Sequence, residues 1–106
     1  MKVRLIDAAE VIRSKNAGPY ELTLDIMFKD REMFERFVAS GCIDAELIAR
    51  LYRLQPEDVL CVVDYAPALA IKATIKRPVC SGDFEDRDVY GAQQHAPLMD
   101  LEVDLL

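Results

Sequence analysis

Alternating apolar residues constrain the fold of this chain more than any other feature of its sequence. Between residues 20 and 28 every second residue is apolar, which is typical of a strand with one buried face. A similar alternation occupies residues 69–76, residues 59–63 form a continuous apolar run, and a last alternation covers residues 99–105. The apolar face of the first strand comprises Leu22, Leu24, Ile26 and Phe28. We therefore expect a β-sheet at the centre of the molecule.

The run at 59–63 contains no polar side chain apart from Cys61, which favours a central strand covered on both faces, with Cys61 in the core. A short connection joins this run to residues 69–76, so the two strands are predicted to form an antiparallel hairpin. The last strand has an acidic polar face, whereas the face that includes Lys72 and Lys76 is basic. Opposite charges on neighbouring strands stabilise a sheet, so we expect these two strands to be adjacent.

Two helices are predicted between the strands. Asp30 and Asp44 are both suited to the N-terminus of a helix, where a carboxylate accepts hydrogen bonds from free backbone N–H groups. Apolar residues recur at helical spacing after each of them. The predicted buried residues are Met33, Phe34, Phe37 and Val38 in the first helix, and Leu47, Ile48, Leu51 and Tyr52 in the second.

These elements predict a two-layer α+β domain with a mostly antiparallel sheet and two helices. A length of 106 residues is that of a single domain, which we place at 1–106. Residues 3–13 fit either a helical turn or the start of a strand. Residues 78–97 are predicted to form a long irregular loop, a length that in compact domains usually indicates function or disorder.

Composition excludes several classes of function. The net charge is −6 and the basic residues are scattered, which argues against nucleic-acid binding. No apolar run approaches the roughly 20 residues of a membrane span, and the first residues do not resemble a signal peptide, so we expect a cytoplasmic protein. Cys42, Cys61 and Cys80 lack zinc-site spacing and are interpreted as reduced thiols. No metal or cofactor is expected.

The first candidate binding segment is residues 13–18. Arg13, Ser14, Lys15 and Asn16 offer a guanidinium, a hydroxyl, an ammonium and an amide, and Gly18 adds backbone freedom. In an extended segment Arg13 and Lys15 project to the same side, where they are suited to a carboxylate or phosphate. The alternative is a solvated loop whose polar side chains form turn hydrogen bonds.

The second candidate segment lies at residues 88–97. His95 is the only histidine and is therefore the natural candidate for proton transfer near neutral pH. Tyr90, Gln93 and Gln94 are candidates for orienting a substrate. The alternative is a loop whose amides bind its own backbone. No phosphate-binding loop, nucleophile elbow or dinucleotide fingerprint occurs, so the residues alone identify no reaction.

Three strings carry a resemblance to a small bacterial family of unknown function. They are IRSKNAGPYELTLD at residues 12–25, PALAIKATI at 67–75 and DVYGAQQHAPL at 88–98. The order of segments is also similar to the small C-terminal domain of AtuA-type proteins, named for acyclic terpene utilisation. That domain has a string of the type ARSGDKG before a strand, and residues 12–18 resemble it without the Gly-Asp pair.

The second resemblance implies a ferredoxin-like sandwich with both helices on one face of the sheet. It also implies a small accessory subunit that works beside a large AtuA-type protein on acyl-CoA or organic-acid substrates. Two other hypotheses stay open: a self-contained lyase or hydratase at a homo-oligomer interface, and a non-catalytic ligand-binding or interaction module. A shared site requires segments 13–18 and 88–97 to meet in space.

Overall fold

The computed structural model of the chain describes residues 2–18, 20–76 and 96–105. Its strands and helices follow the order β1 (Lys2–Arg4), α1 (Leu5–Ala8), β2 (Ala9–Gly18), β3 (Glu21–Phe28), α2 (Arg31–Ser40), α3 (Ala45–Tyr52), β4 (Val59–Tyr65), β5 (Ala70–Lys76), α4 (Ala96–Met99) and β6 (Glu102–Asp104). Short 3₁₀ turns, Pro56–Asp58 and Ala66–Ala68, precede and follow β4.

The described strands form two antiparallel sheets. Four strands pair in the order β2-β3-β5-β4, and β1 pairs with β6. The predicted mixed α and β domain with antiparallel strands is confirmed. The strands and main helices of the larger sheet follow the chain order β-β-α-α-β-β, whereas a ferredoxin-like fold follows β-α-β-β-α-β. The ferredoxin-like topology is therefore not confirmed.

Residues 13–18, for which a loop was the alternative, belong to β2. This strand pairs antiparallel with β3, from Ala9 opposite Phe28 to Gly18 opposite Glu21. Gly18 has a φ of 149°, which side chains with a Cβ rarely adopt, so a glycine suits the point where the chain leaves β2. The ambiguous residues 3–13 divide among β1, the single turn of α1 and the first half of β2.

The two predicted helices are confirmed, and both begin at the predicted aspartate, but Val38, predicted to be buried, is 37% exposed. Asp30 accepts a hydrogen bond from the Met33 backbone N–H at 2.8 Å, and Asp44 accepts one from the Leu47 N–H at 2.9 Å. Helix α2 ends at Gly41, whose φ of 63° is the left-handed conformation common after a helix. Local signals therefore define both helices.

The core lies between the larger sheet and helices α2 and α3. Phe28 on β3 packs against Phe34 and Phe37 of α2, with ring centroids 6.2 and 4.7 Å away. The predicted buried face of β3, namely Leu22, Leu24, Ile26 and Phe28, is 2% exposed or less throughout. The opposite face of the sheet consequently points away from α2.

The prediction that residues 59–63 form a central strand is wrong. Strand β4 lies at the edge of the sheet, and Leu60, Cys61 and Val63 are exposed. Cys61 is therefore not a core residue. The predicted hairpin with β5 is confirmed, from Val59 opposite Ile75 to Tyr65 opposite Ala70. An apolar run indicates a strand but does not determine the place of that strand in the sheet.

The predicted pairing of the last strand with residues 69–76 is also wrong. Residues 96–99 are helical, and the strand that follows, β6, pairs with β1 at the other end of the chain. In that ladder Lys2 lies opposite Asp104 and Arg4 lies opposite Glu102. The acidic face of β6 thus has basic cross-strand neighbours, but β1 supplies them and β5 does not.

Most of the predicted irregular loop at 78–97 lies outside the described residues. In the part of the chain that the structure describes, no helix is long and apolar enough to cross a membrane.

Candidate functional site

The face of the larger sheet that points away from helix α2 carries most of the charged residues of these four strands. We call this surface the polar face. The side chains on it alternate with the core residues and meet in cross-strand rows. Its members are Val11, Arg13 and Lys15 on β2, Glu21, Thr23, Asp25 and Met27 on β3, Ala70, Lys72, Thr74 and Lys76 on β5, and Cys61, Val63 and Tyr65 on β4.

An ion pair joins Arg13 and Asp25 at the middle of the polar face. The two residues lie directly opposite each other on β2 and β3. The Nε atom of Arg13 donates to Oδ2 of Asp25 at 3.0 Å. The Arg13 side chain is 49% exposed, whereas that of Asp25 is 0% exposed. The carboxylate therefore fixes the guanidinium from below, and the contact uses Nε alone, which leaves the Nη1 and Nη2 donors for other partners.

Asp25 is an unusual residue for the centre of a sheet. A buried carboxylate is unfavourable unless charge and hydrogen bonds compensate it. Among the residues that the structure describes, no donor reaches its second oxygen, Oδ1. A buried acceptor of this kind calls for a donor such as an ordered water. Asp25 therefore lies beneath the candidate site, as the residue that holds Arg13 in place.

Lys72 lies on the other side of Asp25. It occupies the position directly opposite Asp25 on β5, so Arg13, Asp25 and Lys72 form one row across three strands. The Lys72 ammonium lies 5.4 Å from the ring centroid of Tyr65 on β4, a cation–π arrangement. A buried carboxylate is thus flanked by two cations on adjacent strands.

Two more cations lie on the polar face, farther along β2 and β5. Lys15 follows Arg13 at an interval of two residues and is exposed on β2. On β5, Lys76 lies one full four-residue step after Lys72. Its ammonium is 3.9 Å from a carboxylate oxygen of Asp58. The carboxylates on the polar face itself are Glu21 and Asp25. Cations therefore outnumber anions on this surface, although the net charge of the chain is −6.

The structure divides the candidate residues of segment 13–18 between two faces. Arg13 and Lys15 share the polar face, as the alternation predicts. Ser14 lies opposite Leu24 and is 5% exposed, and Asn16 lies opposite Leu22, so both are on the core face. Gly18 ends the strand. The predicted substrate contacts of Ser14, Asn16 and Gly18 stay predictions.

The second candidate segment is not part of this geometry. Tyr90, Gln93, Gln94 and His95 lie outside the described residues. Their predicted roles in orienting a substrate and in proton transfer stay predictions, and so does the meeting of segments 13–18 and 88–97.

Sequence reasoning did not select Asp25 and Lys72 as site residues. The sequence alone does not single out Asp25, and it identifies Lys72 only as part of a basic strand face. A carboxylate flanked on either side by Leu24 and Ile26 at the middle of a strand is the available signal. Recognising it requires the register of three strands, because the two cations come from residues 12 positions before and 47 positions after Asp25.

The chemistry that this arrangement supports is anion binding. The Nη1 and Nη2 atoms of Arg13 offer N–H donors in a fixed plane, and Lys15 and Lys72 each offer an ammonium group. Within residues 2–18, 20–76 and 96–105, no group of three His, Cys, Asp or Glu side chains is placed to hold a metal ion. A groove of about 440 Å³ between α2 and β6 includes Ser40 and Cys42, but the Ser40 hydroxyl there bonds to the Phe37 carbonyl of its own helix.

Comparisons with known proteins give one finding. A family model described as a domain of unknown function, DUF4387, matches residues 5–102. Neither the curated proteins nor the solved structures contain a match to this chain. The family match agrees with the predicted membership of a family of unknown function and contains no link to AtuA-type proteins. Because the match covers nearly the whole sequence, this chain belongs to the DUF4387 family.

Proposed function

We propose that this chain is a small accessory subunit that binds an anionic organic molecule on its polar face. The observation that carries the proposal is the row of Arg13, Asp25 and Lys72, in which a fully buried carboxylate orients an exposed guanidinium beside a second cation. Asp25 acts as a positioning residue. Arg13, Lys15 and Lys72 are the residues that contact the ligand.

Electrostatics supports a local anion site in an acidic protein. Two unit charges 4 Å apart interact by about 4 kcal/mol at an effective dielectric constant of about 20, as near a protein surface. At physiological ionic strength, exposed charges more than about 8 Å apart are largely screened. The acidic residues outside the polar face therefore repel an anion much less than Arg13, Lys15 and Lys72 attract it, and the charge of Asp25 is offset by its ion pair with Arg13.

The proposed ligand is a carboxylate or a phosphate ester attached to an organic group. A guanidinium presents two parallel N–H donors that match the oxygens of either anion. Val63 and Tyr65, on the same face beside Lys72, are 48% and 49% exposed and offer apolar contact to the remainder of such a ligand. The likeness to the small domain of AtuA-type proteins favours an acyl-CoA or an organic acid, with a large AtuA-type protein as the partner that performs the reaction.

The alternatives differ in what they require of the polar face. A non-catalytic binding module uses the same cations but needs no large partner. A self-contained lyase or hydratase needs an acid–base residue beside the ligand, and the candidate for that role, His95, lies outside the described residues. The geometry of the described residues supports anion binding, so we place binding first.

Calorimetric titration of the purified chain with acetyl-CoA, coenzyme A and acetate tests the proposal. We expect Lys72→Gln and Lys15→Gln to weaken binding at least roughly tenfold each, because a hydrogen bond to a charged group contributes about 1.5–3 kcal/mol. The matched control is Lys29→Gln, which removes an exposed lysine that lies after the end of β3. Equal affinities for all three variants contradict the proposed site.

The accessory role is tested separately with a purified large AtuA-type protein. We expect the two purified proteins to form a complex in sedimentation velocity, and acyl-CoA turnover to require both. Turnover by the chain alone at the rate of the mixture contradicts the accessory role. Anion binding without complex formation leaves the polar-face site in place and favours the non-catalytic module.

A further inference from the structure

The outer edge of β4 is the least protected edge of the larger sheet. Among the described residues, no strand pairs with that side of β4. Leu60, Val63 and Tyr65 on this strand are 44%, 48% and 49% exposed. An exposed apolar edge offers unpaired N–H and C=O groups to any extended chain, which is why natural proteins usually protect their edges.

The opposite edge of the same sheet has such protection. Strand β2 carries the charged residues Glu10, Arg13 and Lys15, and its ladder with β3 is irregular near both ends. Strand β4 contains Asp64 as its one charged residue, and its irregularity lies at the beginning, between Val59 and Cys61. Of the two edges, that of β4 is therefore the more open to pairing with another extended segment.

We propose that β4 pairs antiparallel with β4 of a second copy of this chain, across a two-fold axis. The two four-stranded sheets then form one continuous sheet. A two-fold axis makes the same surface serve both copies, so the strand must be complementary to itself. This interface goes beyond the ligand site and does not depend on it.

Charge and the exposed Leu60 select the register of this pairing. Directly opposed residues of an antiparallel pair share a face, so the two-fold axis passes between the two copies of one β4 residue. An axis at Val62 pairs residues 60–64 and places Asp64 opposite Leu60; Val59 and Tyr65 stay outside the ladder, because the irregularity between Val59 and Cys61 puts them on opposite faces. An axis at Asp64 brings two carboxylates together, and an axis at Cys61 brings Asp64 opposite Asp58. An axis at Val63 leaves Leu60 unpaired.

The Val62 register also brings apolar residues of the two copies together. It places Val63 opposite Cys61 of the second copy, so the apolar part of the polar face becomes continuous across the axis. On the other side of the sheet, a cavity of about 90 Å³ next to this edge is lined in part by Val38, Val62 and Asp64. Leu60 of the second copy lies opposite Asp64 in this register, which brings an apolar side chain to the cavity.

Oligomeric state gives the first test. We expect the purified chain to sediment as a dimer at high concentration, and we expect Val63→Lys to be monomeric. The matched control is Met99→Lys on α4, because Met99 is 40% exposed and lies outside β4. Circular dichroism establishes that both variants are folded. A monomeric native chain at every concentration contradicts the proposal, and so does a dimer that persists in Val63→Lys.

Cross-linking tests the register. In a background with Cys42, Cys61 and Cys80 changed to serine, Val62→Cys places one thiol opposite its own copy, within the reach of a disulfide. We expect mild oxidation to convert this variant to a covalent dimer. Asp64→Cys in the same background is the control, because each thiol then lies opposite residue 60. Cross-linking of the control in preference to Val62→Cys contradicts the proposed register.

Discussion

Arg13 and Asp25 face each other across β2 and β3, and the Nε atom of the arginine lies 3.0 Å from Oδ2 of the carboxylate. One partner is half-exposed and the other is fully buried. The exposed cation is therefore held in place by a residue that solvent does not reach. This relationship makes Arg13 a preorganised donor, and it also makes the stability of the sheet depend on the pair.

We expect that removing one member of the ion pair lowers the free energy of unfolding more than replacing both members with apolar residues. Arg13→Met leaves the Asp25 carboxylate buried without its cation, and we expect a loss of about 2–4 kcal/mol in the free energy of unfolding. The double variant Arg13→Met, Asp25→Leu removes both charges and is expected to lose much less. Urea denaturation measures both effects. The control is Lys15→Met, on the same strand and face. A loss for Arg13→Met no larger than that for the control contradicts this account.

The aspartate caps are expected to stabilise helices α2 and α3 individually. Asp30→Ala removes the acceptor of the Met33 N–H bond, and Asp44→Ala removes that of the Leu47 N–H bond. We expect each change to cost about 1 kcal/mol in thermal or urea unfolding. Asp30→Asn and Asp44→Asn keep an acceptor oxygen and are expected to recover most of the loss. Asparagine variants as unstable as the alanine variants are inconsistent with capping.

Position 53 is expected to be more stable with glycine than with alanine. It ends α3 in the left-handed conformation, with a φ of 56°, and its side chain is exposed. A residue with a Cβ pays about 1–2 kcal/mol in this conformation, which glycine does not, although glycine gains freedom in the unfolded chain. We expect Arg53→Gly to raise the melting temperature relative to Arg53→Ala. A lower melting temperature for the glycine variant contradicts the assigned conformation.

Tyr52 is expected to make the protein sensitive to alkali. Burial raises the pKa of its phenol well above the ordinary value near 10. Below about pH 10 the phenol is protonated in both the folded and the unfolded state, so stability is unaffected. Above that pH the unfolded state loses the proton and the folded state keeps it, so the free energy of unfolding falls as the pH rises.

Urea denaturation between pH 8 and pH 11 measures this dependence. We expect Tyr52→Phe to flatten the alkaline decline in the free energy of unfolding. Tyr65→Phe, which changes a half-exposed tyrosine on β4, is the control and is expected to keep the decline. A Tyr52→Phe variant with the same alkaline slope as the native chain contradicts the assigned burial.

The helices could be predicted from sequence because their signals are local. Asp30 and Asp44 cap turns that begin with the next residue, and the apolar stripe of each helix lies within a few turns of its cap. The alternation in β3 is equally local. The position of a strand within a sheet is not local, which explains the wrong placement of β4. An apolar run fits a central strand or an edge that another chain covers.

The candidate site could be predicted only in part for the same reason. Alternation along β2 correctly places Arg13 and Lys15 on one side. Asp25 and Lys72 join them through the registers of β2 with β3 and of β3 with β5, which no spacing within one segment reveals. Charge complementarity led to the wrong partner for β6, because Lys2 and Arg4 of β1 meet its acidic face as well as lysines of β5 would.

The central claim is that the polar face binds an anion at the row of Arg13, Asp25 and Lys72. Mapping amide chemical shifts of the isotopically labelled chain during titration with acetyl-CoA tests it most directly. The account predicts that the shifts concentrate on the middle of β2, β3 and β5, and that Lys72→Gln weakens them together. Shifts confined to α2 and α3, or an unchanged spectrum at saturating acetyl-CoA, acetate and phosphate, would contradict it.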